Sequence, residues 1–513
     1  MTTPSGLILA EQIIKSHFGS IVAKVCNCLL HHGSYTFRDV IRLTELEPKI
    51  VKKCLIVLIQ HNCVQAYSLS RAEGVSKTVT IYMVIFDNII HRMRFPKFLK
   101  IVEERLNSQC EVLLEAIFQH GRLTFEQLSQ HSLSKDKAID LHALKESFNR
   151  LVKGRYIERC PKPEPFLSSS AEDAPPPRKR NQKFVLDTMT MEKKALANAT
   201  LSDAERFCEI TNFECDNDTL EDKFIEGKRK YGSHEIDKKT EATIVEKEVL
   251  WRANFQNFIN FLRAKACISY KSSRLTNDAG VILEALIECC SNQSTEMEAS
   301  FDEIFGHIAN HQAHMTKDYV GQVLDEIGCQ QSMKGIVAFY TIDLKSIIED
   351  SRKEEMETII LQRYGKSACK IFRLLSTKNQ PFETDKISDM TFVDKKEAIA
   401  LFYKLWNDKI LHMEPVGSTD QKKGYYLWKI SESASSDFFL ENIYHTAANL
   451  NQRIDYHYEE NKEFILLSAE DKKEMIKNQP ERCKVYQHYV KTVKILETSL
   501  LNLDKLLLYF HDF

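Results

Sequence analysis

Apolar positions along this chain fall at helical spacing, then at strand spacing, and the alternation repeats. Near the N-terminus, Leu7 to Ile14 and Ile21 to Leu30 read as two helices, the second stopped at Gly33. Thr36 is placed to cap a short helix from Phe37 to Leu43. Pro48 suits the first turn of another, where a missing N–H costs nothing. In that helix Val51, Cys54, Leu55 and Leu58 stand at i, i+3, i+4 and i+7, which gives one apolar stripe. Two β-rich runs follow, Cys63 to Tyr67 and Val79 to Phe86, joined by the polar loop Ser68 to Thr78. Three helices and then a hairpin is the order of a winged helix, a helix-turn-helix variant.

The order returns three more times. In the second module Cys110 to Phe118 is a helix, and Leu123-Thr-Phe-Glu-Gln-Leu echoes Tyr35-Thr-Phe-Arg-Asp-Val. Its third helix places Leu141, Leu144, Phe148 and Leu151 on one face, and the strand Tyr156 to Arg159 is expected to pair with Lys183 to Asp187. A third copy lies between Ala279 and Leu344, with Thr316 capping a helix that aligns Val320, Val323, Leu324 and Ile327. A fourth lies between Ala368 and Ile430, its third helix burying Ala398, Leu401, Phe402 and Leu405. Repetition of one element order outweighs any single motif.

Two further stretches carry helical seams. From Pro480 to the end, Arg482, Tyr486, Tyr489, Val493, Leu496, Leu500, Leu503, Leu507 and Phe510 alternate at four and three residues, a heptad seam. Leu440, Ile443, Ala447, Leu450 and Ile454 make a shorter one upstream. The two fold back as an antiparallel hairpin or pair between molecules; both halves in one chain favour the hairpin. Val249 to Ser269 reads as a helix with the aromatic face Trp251, Phe255, Phe258 and Leu262, a stripe of core or subunit-interface type. Trp251, Phe255 and Phe258, with Leu496, Leu500, Leu503 and Leu507, are the candidate partner-interface residues.

The fold class that follows is mainly α with small hairpins. Winged helices are expected at 1–90, 91–190 (with a linker insert at 161–182), 249–350 and 351–432. An acidic connector is expected at 191–248 and a C-terminal helical hairpin at 433–513. Scarce Gly (16) and Pro (12) agree with a helix-rich chain, and 43% hydrophobic with 28% charged residues suits a folded one.

Charge narrows the function. The formal net charge is −2, whereas a protein that grips nucleic acid unaided is usually strongly basic. Any DNA contact is therefore expected to be local and assisted by partners. Residues 1–100 carry 13 basic against 6 acidic side chains, and Leu201 to Glu226 carries nine acids against two bases, suiting a solvated connector or a dock for a basic partner. Pro175-Pro-Pro-Arg-Lys-Arg reads either as a nuclear localisation signal or as a solvated loop.

In a winged helix the third helix is the reader. The first module offers Lys49, Lys52 and Lys53 opposite its core stripe; the second offers Lys145 and Arg150, beside Asn149 and Lys153; the fourth offers Lys395 and Lys396, beside Lys404. These seven, Lys49, Lys52, Lys53, Lys145, Arg150, Lys395 and Lys396, are the candidate DNA contacts. Faces rich in lysine and poor in arginine suit phosphate more than base edges. The third module instead exposes Asp318, Asp325 and Glu326, which suits a protein partner.

Catalytic signatures are missing from the sequence: no phosphate-binding glycine loop, no nucleophile elbow and no zinc-protease motif. The 14 cysteines form no C-x-x-C pair, and most, like Cys26, Cys54 and Cys369, sit in apolar helical patterns. His307, His311 and His314 share a helical face but lack a carboxylate or thiol to complete a metal site. The expectation is no catalysis, cofactor, metal or small-molecule substrate. Glu11 and Lys15 interrupt the apolar start, so no signal peptide is expected. No apolar run reaches the roughly 18 residues of a membrane span, so no membrane role is expected.

The residues also carry a family resemblance. His17-Phe-Gly-Ser-Ile-Val, Val51-Lys-Lys-Cys-Leu-Ile-Val-Leu-Ile-Gln-His-Asn, Arg92-Met-Arg-Phe-Pro-Lys-Phe and Arg159-Cys-Pro lie in the first two modules. Leu250-Trp-Arg-Ala-Asn-Phe-Gln-Asn-Phe is the most specific stretch. Lys370-Ile-Phe-Arg-Leu-Leu, Lys395-Lys-Glu-Ala-Ile-Ala-Leu-Phe-Tyr-Lys-Leu and Gln479-Pro-Glu-Arg follow. Over nearly its whole length the chain resembles the large winged-helix subunit of nuclear RNA polymerase III, that enzyme's third-largest chain. It is similar in plan to the large subunit of general factor IIE. The resemblance implies a nuclear, non-catalytic subunit that joins two smaller subunits in a trimer on the clamp of the largest subunit. It implies a part in promoter recruitment and DNA opening, with promoter DNA, single strands included, as a partner. Two other classes compete: a winged-helix scaffold of a proteasome-lid or cullin-like complex, and a sequence-specific regulator, which should show an arginine-rich reading helix.

Overall fold

The computed structural model describes residues 3–70, 78–135, 141–167, 191–209, 249–291, 298–311, 315–334, 337–416, 425–468, 470–472, 475 and 479–513. The chain forms two compact units, Ala10–Phe258 and Ile259–Phe513, the latter joined by Thr3–Leu9.

In Ala10–Phe258 the first module runs helix Ser20–His32, strand Tyr35–Thr36, helices Phe37–Thr44 and Pro48–Gln60, then strands Val64–Ser70 and Thr78–Val84. Thr36 caps its helix, accepting from the Asp39 N–H at 3.4 Å. The stripe Val51, Cys54, Leu55 and Leu58 is buried. Tyr35–Thr36 pairs with the second hairpin strand, Thr78–Val84, Tyr35 opposite Tyr82, so the helix-turn-helix is stitched to its own wing.

The second module has helices Ser108–His120, Phe125–Lys135 and Leu141–Lys153 and the strand Ile157–Arg159. That strand's partner is Trp251–Ala253, with Arg159 opposite Trp251, and a single bridge from Leu123 to Trp251 stands in for the first strand. The partner expected from the sequence, Lys183 to Asp187, lies outside the described residues. The pairing corrects the element at Trp251, which is in a strand; the helix begins at Phe255 and runs to Arg274. The spacing of Trp251, Phe255 and Phe258 matches a helical face by coincidence. Trp251 is 1% exposed and meets Phe148 edge-on at 5.1 Å. Phe258 stacks on Phe98 at 4.6 Å, and the half-buried Phe255 stacks with Phe118 and Phe95. These rings are the unit's own core, which removes Trp251 and Phe258 as a partner surface. Leu141, expected on the core stripe, is 52% exposed, while Leu144, Phe148 and Leu151 are buried.

The insert between these strands is tied down at both ends. Phe166–Leu167 adds in parallel to the wing strand Val64–Ser70, Leu69 opposite Leu167. Gln65 donates to the carbonyls of Lys162 and Pro163 at 3.1 and 3.0 Å, and Glu164 accepts from the Thr80 hydroxyl at 2.6 Å. Helix Met191–Ala199 buries Ala195 against Tyr67, Met83 and Leu167. Beyond it Arg206 and Arg252 close on the buried Glu158 carboxylate. The first part of the expected acidic connector is thus anchored to the unit through Ala195, Ala199 and Arg206, while most of its side chains stay exposed; residues 210–248 lie outside the description.

In the other unit the third module runs Asn277–Ser291, Glu298–Ser300, Phe301–His311, Lys317–Ile327, Gln330–Lys334 and Val337–Thr341. The fourth runs Lys366–Lys378, Phe382–Glu383, Thr384–Thr391, Lys395–Asn407, Leu411–Val416 and Tyr425–Ile430. A helix not foreseen in the sequence, Leu344–Tyr364, lies between them. Helices Glu432–Glu460 and Pro480–Leu507 pack on each other. Phe439 meets Phe510, Tyr458 donates to Glu497 at 2.7 Å, and Phe464 meets Tyr486, which orders them antiparallel. Tyr489, Val493 and Leu507 are buried, Leu496, Leu500 and Leu503 half-buried, and Arg482 is exposed.

Left-handed backbone recurs at matching places. Each third helix is followed closely by a positive φ: Asn62 (59°), Arg155 (56°), Gly328 (91°) and Lys409 (59°). The second helices of the first and fourth modules end on Glu45 (55°) and Phe392 (56°). The same turn is needed each time to send the chain from helix to hairpin, whatever residue occupies it.

Candidate nucleic-acid interface

The candidate basic residues all ride on third helices, and the structure separates them by what they already touch. Pro48 opens the first module's reader, and its buried stripe turns Lys49, Lys52 and Lys53 outward. All three are exposed, and none forms an ion pair among the described residues. They crowd one turn, where like charges three and four residues apart repel by about 0.2–0.5 kcal/mol per pair. Exposed Ile56 extends the same face.

Elsewhere the cations are engaged. Arg150 holds Glu146 at 2.6 Å and Lys153 holds Glu209 at 3.4 Å; Lys145 is half-buried and also has a partner. In the fourth module Lys395 holds Asp385 at 2.6 Å, while Lys396 is exposed without an ion pair among the described residues. The third module's reader exposes Asp318, Asp325 and Glu326. Unneutralised positive charge is therefore concentrated on the first module.

What sequence reasoning missed is the outer face of the fourth reader. Ile399, Tyr403 and Trp406 are 39%, 48% and 43% exposed there. They stand at i, i+4 and i+7, a second stripe beside the core stripe that the spacing itself displayed.

Among the described residues no three His, Cys, Asp or Glu side chains gather as a metal site, and no helix is long and apolar enough to cross a membrane. His307 lies 3.8 Å from Glu288.

Comparison with known proteins agrees with this architecture. Three family profiles match in order: the RNA polymerase III subunit RPC82 helix-turn-helix domain over residues 8–69, RNA polymerase III subunit RPC82 over 146–334, and the POLR3C C-terminal winged-helix domain over 356–430. The chain is 23% identical to the DNA-directed RNA polymerase III subunit RPC3 of Danio rerio across 89% of this chain and 85% of the relative. It is 23% identical to that of Homo sapiens across 90% and 86%, and 21% identical to that of Dictyostelium discoideum across 98% and 99%. Winged-helix domains and these matches together define a subunit of a DNA-directed RNA polymerase. The chain belongs to the RNA polymerase III subunit family RPC82, whose animal relatives bear the name RPC3.

Proposed function

We propose that this chain is an accessory, non-catalytic subunit of nuclear RNA polymerase III that acts in initiation, with the first winged helix as its DNA-facing module. In this reading it assembles with two smaller subunits on the clamp of the largest subunit and helps recruit the enzyme and open promoter DNA, single strands included. The carrying observation is the trio Lys49, Lys52 and Lys53: exposed, mutually repelling and without ion pairs among the described residues, they gain most from a polyanion. Lysines supply point charges that suit backbone over base edges, so the contact positions DNA without selecting its sequence.

The test is charge reversal at all three, Lys49→Glu, Lys52→Glu and Lys53→Glu, in the assembled polymerase. Promoter-dependent initiation should fall while subunit composition stays intact. The slope of log affinity against log salt should flatten by about 0.9 for each phosphate no longer neutralised. Undiminished initiation by a fully assembled variant would refute the assignment.

A further inference from the structure

We infer that the fourth winged helix uses its third helix to dock a polypeptide: an amphipathic helix from another chain, with an acidic residue at the edge of its apolar face. This rests on the proposed role as a polymerase subunit.

The four third helices are internal controls for one another. One is basic, one has its charges paired, one is acidic, and the fourth presents Ile399, Tyr403 and Trp406. Tyr403 stands edge-on to Trp406 at 6.5 Å and to Trp428 at 5.9 Å. Trp428 is buried in the hairpin, donating to the Thr384 hydroxyl at 2.9 Å. Tyr426, two residues earlier on the same strand and so on the same side of the sheet, is exposed. Helix and wing thus offer aromatic surface toward one side, with Trp428 between them. Phe392, at the turn leading into the helix, is 92% exposed despite its left-handed φ of 56°. An aromatic ring held there in water needs a reason that packing among the described residues does not supply.

Charge decides the occupant. A nucleic acid could stack on these rings but would need free cations along its backbone. Here Lys395 is bound to Asp385, Lys429 to Glu414, and Lys404 lies over the Tyr364 ring at 5.2 Å. Beside the stripe, Lys396 is exposed and without an ion pair among the described residues. An aromatic centre whose neighbouring cations, Lys396 excepted, already have partners has the composition of a protein-interface hot spot. A stripe at i, i+4 and i+7 matches the anchor spacing of a second helix, and Lys396 calls for a carboxylate at its edge.

The experiment compares the free chain with the assembled polymerase. Hydroxyl-radical labelling should mark Tyr403 and Trp406 in the free chain and disappear from both on assembly. A photo-crosslinking phenylalanine analogue in place of Ile399 should capture a different polypeptide of the enzyme, and adding Lys396→Glu should lower that yield severalfold. Capture of DNA, capture of a second copy of this chain, or a yield indifferent to Lys396→Glu overturns the inference. So does persistent labelling of both rings in the assembled enzyme, which would leave the proposed function standing. A chain that never enters the enzyme overturns the functional reading and this inference together.

Discussion

Gly121 shows how tightly single residues are constrained. It ends the first helix of the second module at φ 81°, and a Cβ there would meet the Gln60 carbonyl oxygen at 2.2 Å. Arg122 donates its N–H to that same carbonyl at 3.0 Å, so Gly121 lets two modules of the unit touch backbone to backbone. Gly121→Ala should cost about 2–4 kcal/mol in thermal or denaturant unfolding, since both space and backbone angle oppose it. Lys409 is the converse case, an exposed side chain in left-handed backbone where nothing blocks a glycine. Lys409→Gly should stabilise the fourth module by up to about 1 kcal/mol, seen as a higher unfolding midpoint. His61 gives the fold a pH dependence. Burial, and then the neighbouring Arg92 guanidinium, lower its pKa from 6.5 to about 4. The unfolded chain takes up a proton near pH 6.5 and the folded chain only near pH 4, so acidification across that window removes stability. His61→Gln should flatten the slope of stability against pH between those limits; an unchanged slope would assign it to other groups.

At the scale of elements, one architecture has been given different outer surfaces. The buried stripes are nearly interchangeable: Val51, Cys54, Leu55 and Leu58 do for one third helix what Val320, Val323, Leu324 and Ile327 do for another. Stability needs only the inner face, which leaves the outer one free to be lysine, carboxylate or aromatic. The strand Ile157–Arg159 is held differently, through charge as well as backbone pairing. Glu158 is buried between Arg252, at 2.8 Å, and Arg206, and it draws the short helix Asp203–Arg206 to the strand pair. Glu158→Gln keeps the shape and removes the charge that both guanidiniums answer. It should cost about 3 kcal/mol, read as earlier unfolding of this unit and faster amide exchange at Arg252. The insert's segment 162–167 would be less affected, because it is held by the wing instead: Lys162 and Pro163 accept from Gln65, Glu164 from Thr80 and Pro165 from the Ser68 N–H, and Phe166–Leu167 pairs with the wing strand.

Across the whole molecule, local patterns were legible in the sequence and long-range ones were not. Stripes, caps and helix stops depend on neighbours within a few residues, so Thr36, Pro48, Thr316 and Pro480 stand where their chemistry places them. Trp251–Ala253 and Phe166–Leu167 are too short to show a period of two, and their partners lie far off in sequence. Trp251, Phe255 and Phe258 mimicked a helical face because the strand ends just before the helix begins. The basic trio was legible, but its distinction from Lys145, Arg150 and Lys395 was not, since ion pairing depends on tertiary neighbours. The helix Pro480–Leu507 packs along Glu432–Glu460, and loss of residues 480–513 would strip Phe510 from Phe439, His511 from Tyr444 and Glu497 from Tyr458. A chain truncated before Pro480 should therefore fail to enter the polymerase. Normal recovery in the purified enzyme would show that this hairpin is dispensable for assembly.

The second module's last strand has a bearing on the protein's birth. As the chain leaves the ribosome, Ile157–Arg159 emerges long before Trp251–Ala253, and Phe148 waits uncovered for its indole. The first module has both hairpin strands early, while its neighbour stays unfinished until translation has passed residue 253. A ribosome stalled within the insert would hold a nascent chain with one sheet closed and the next ajar, a natural window for chaperones to act.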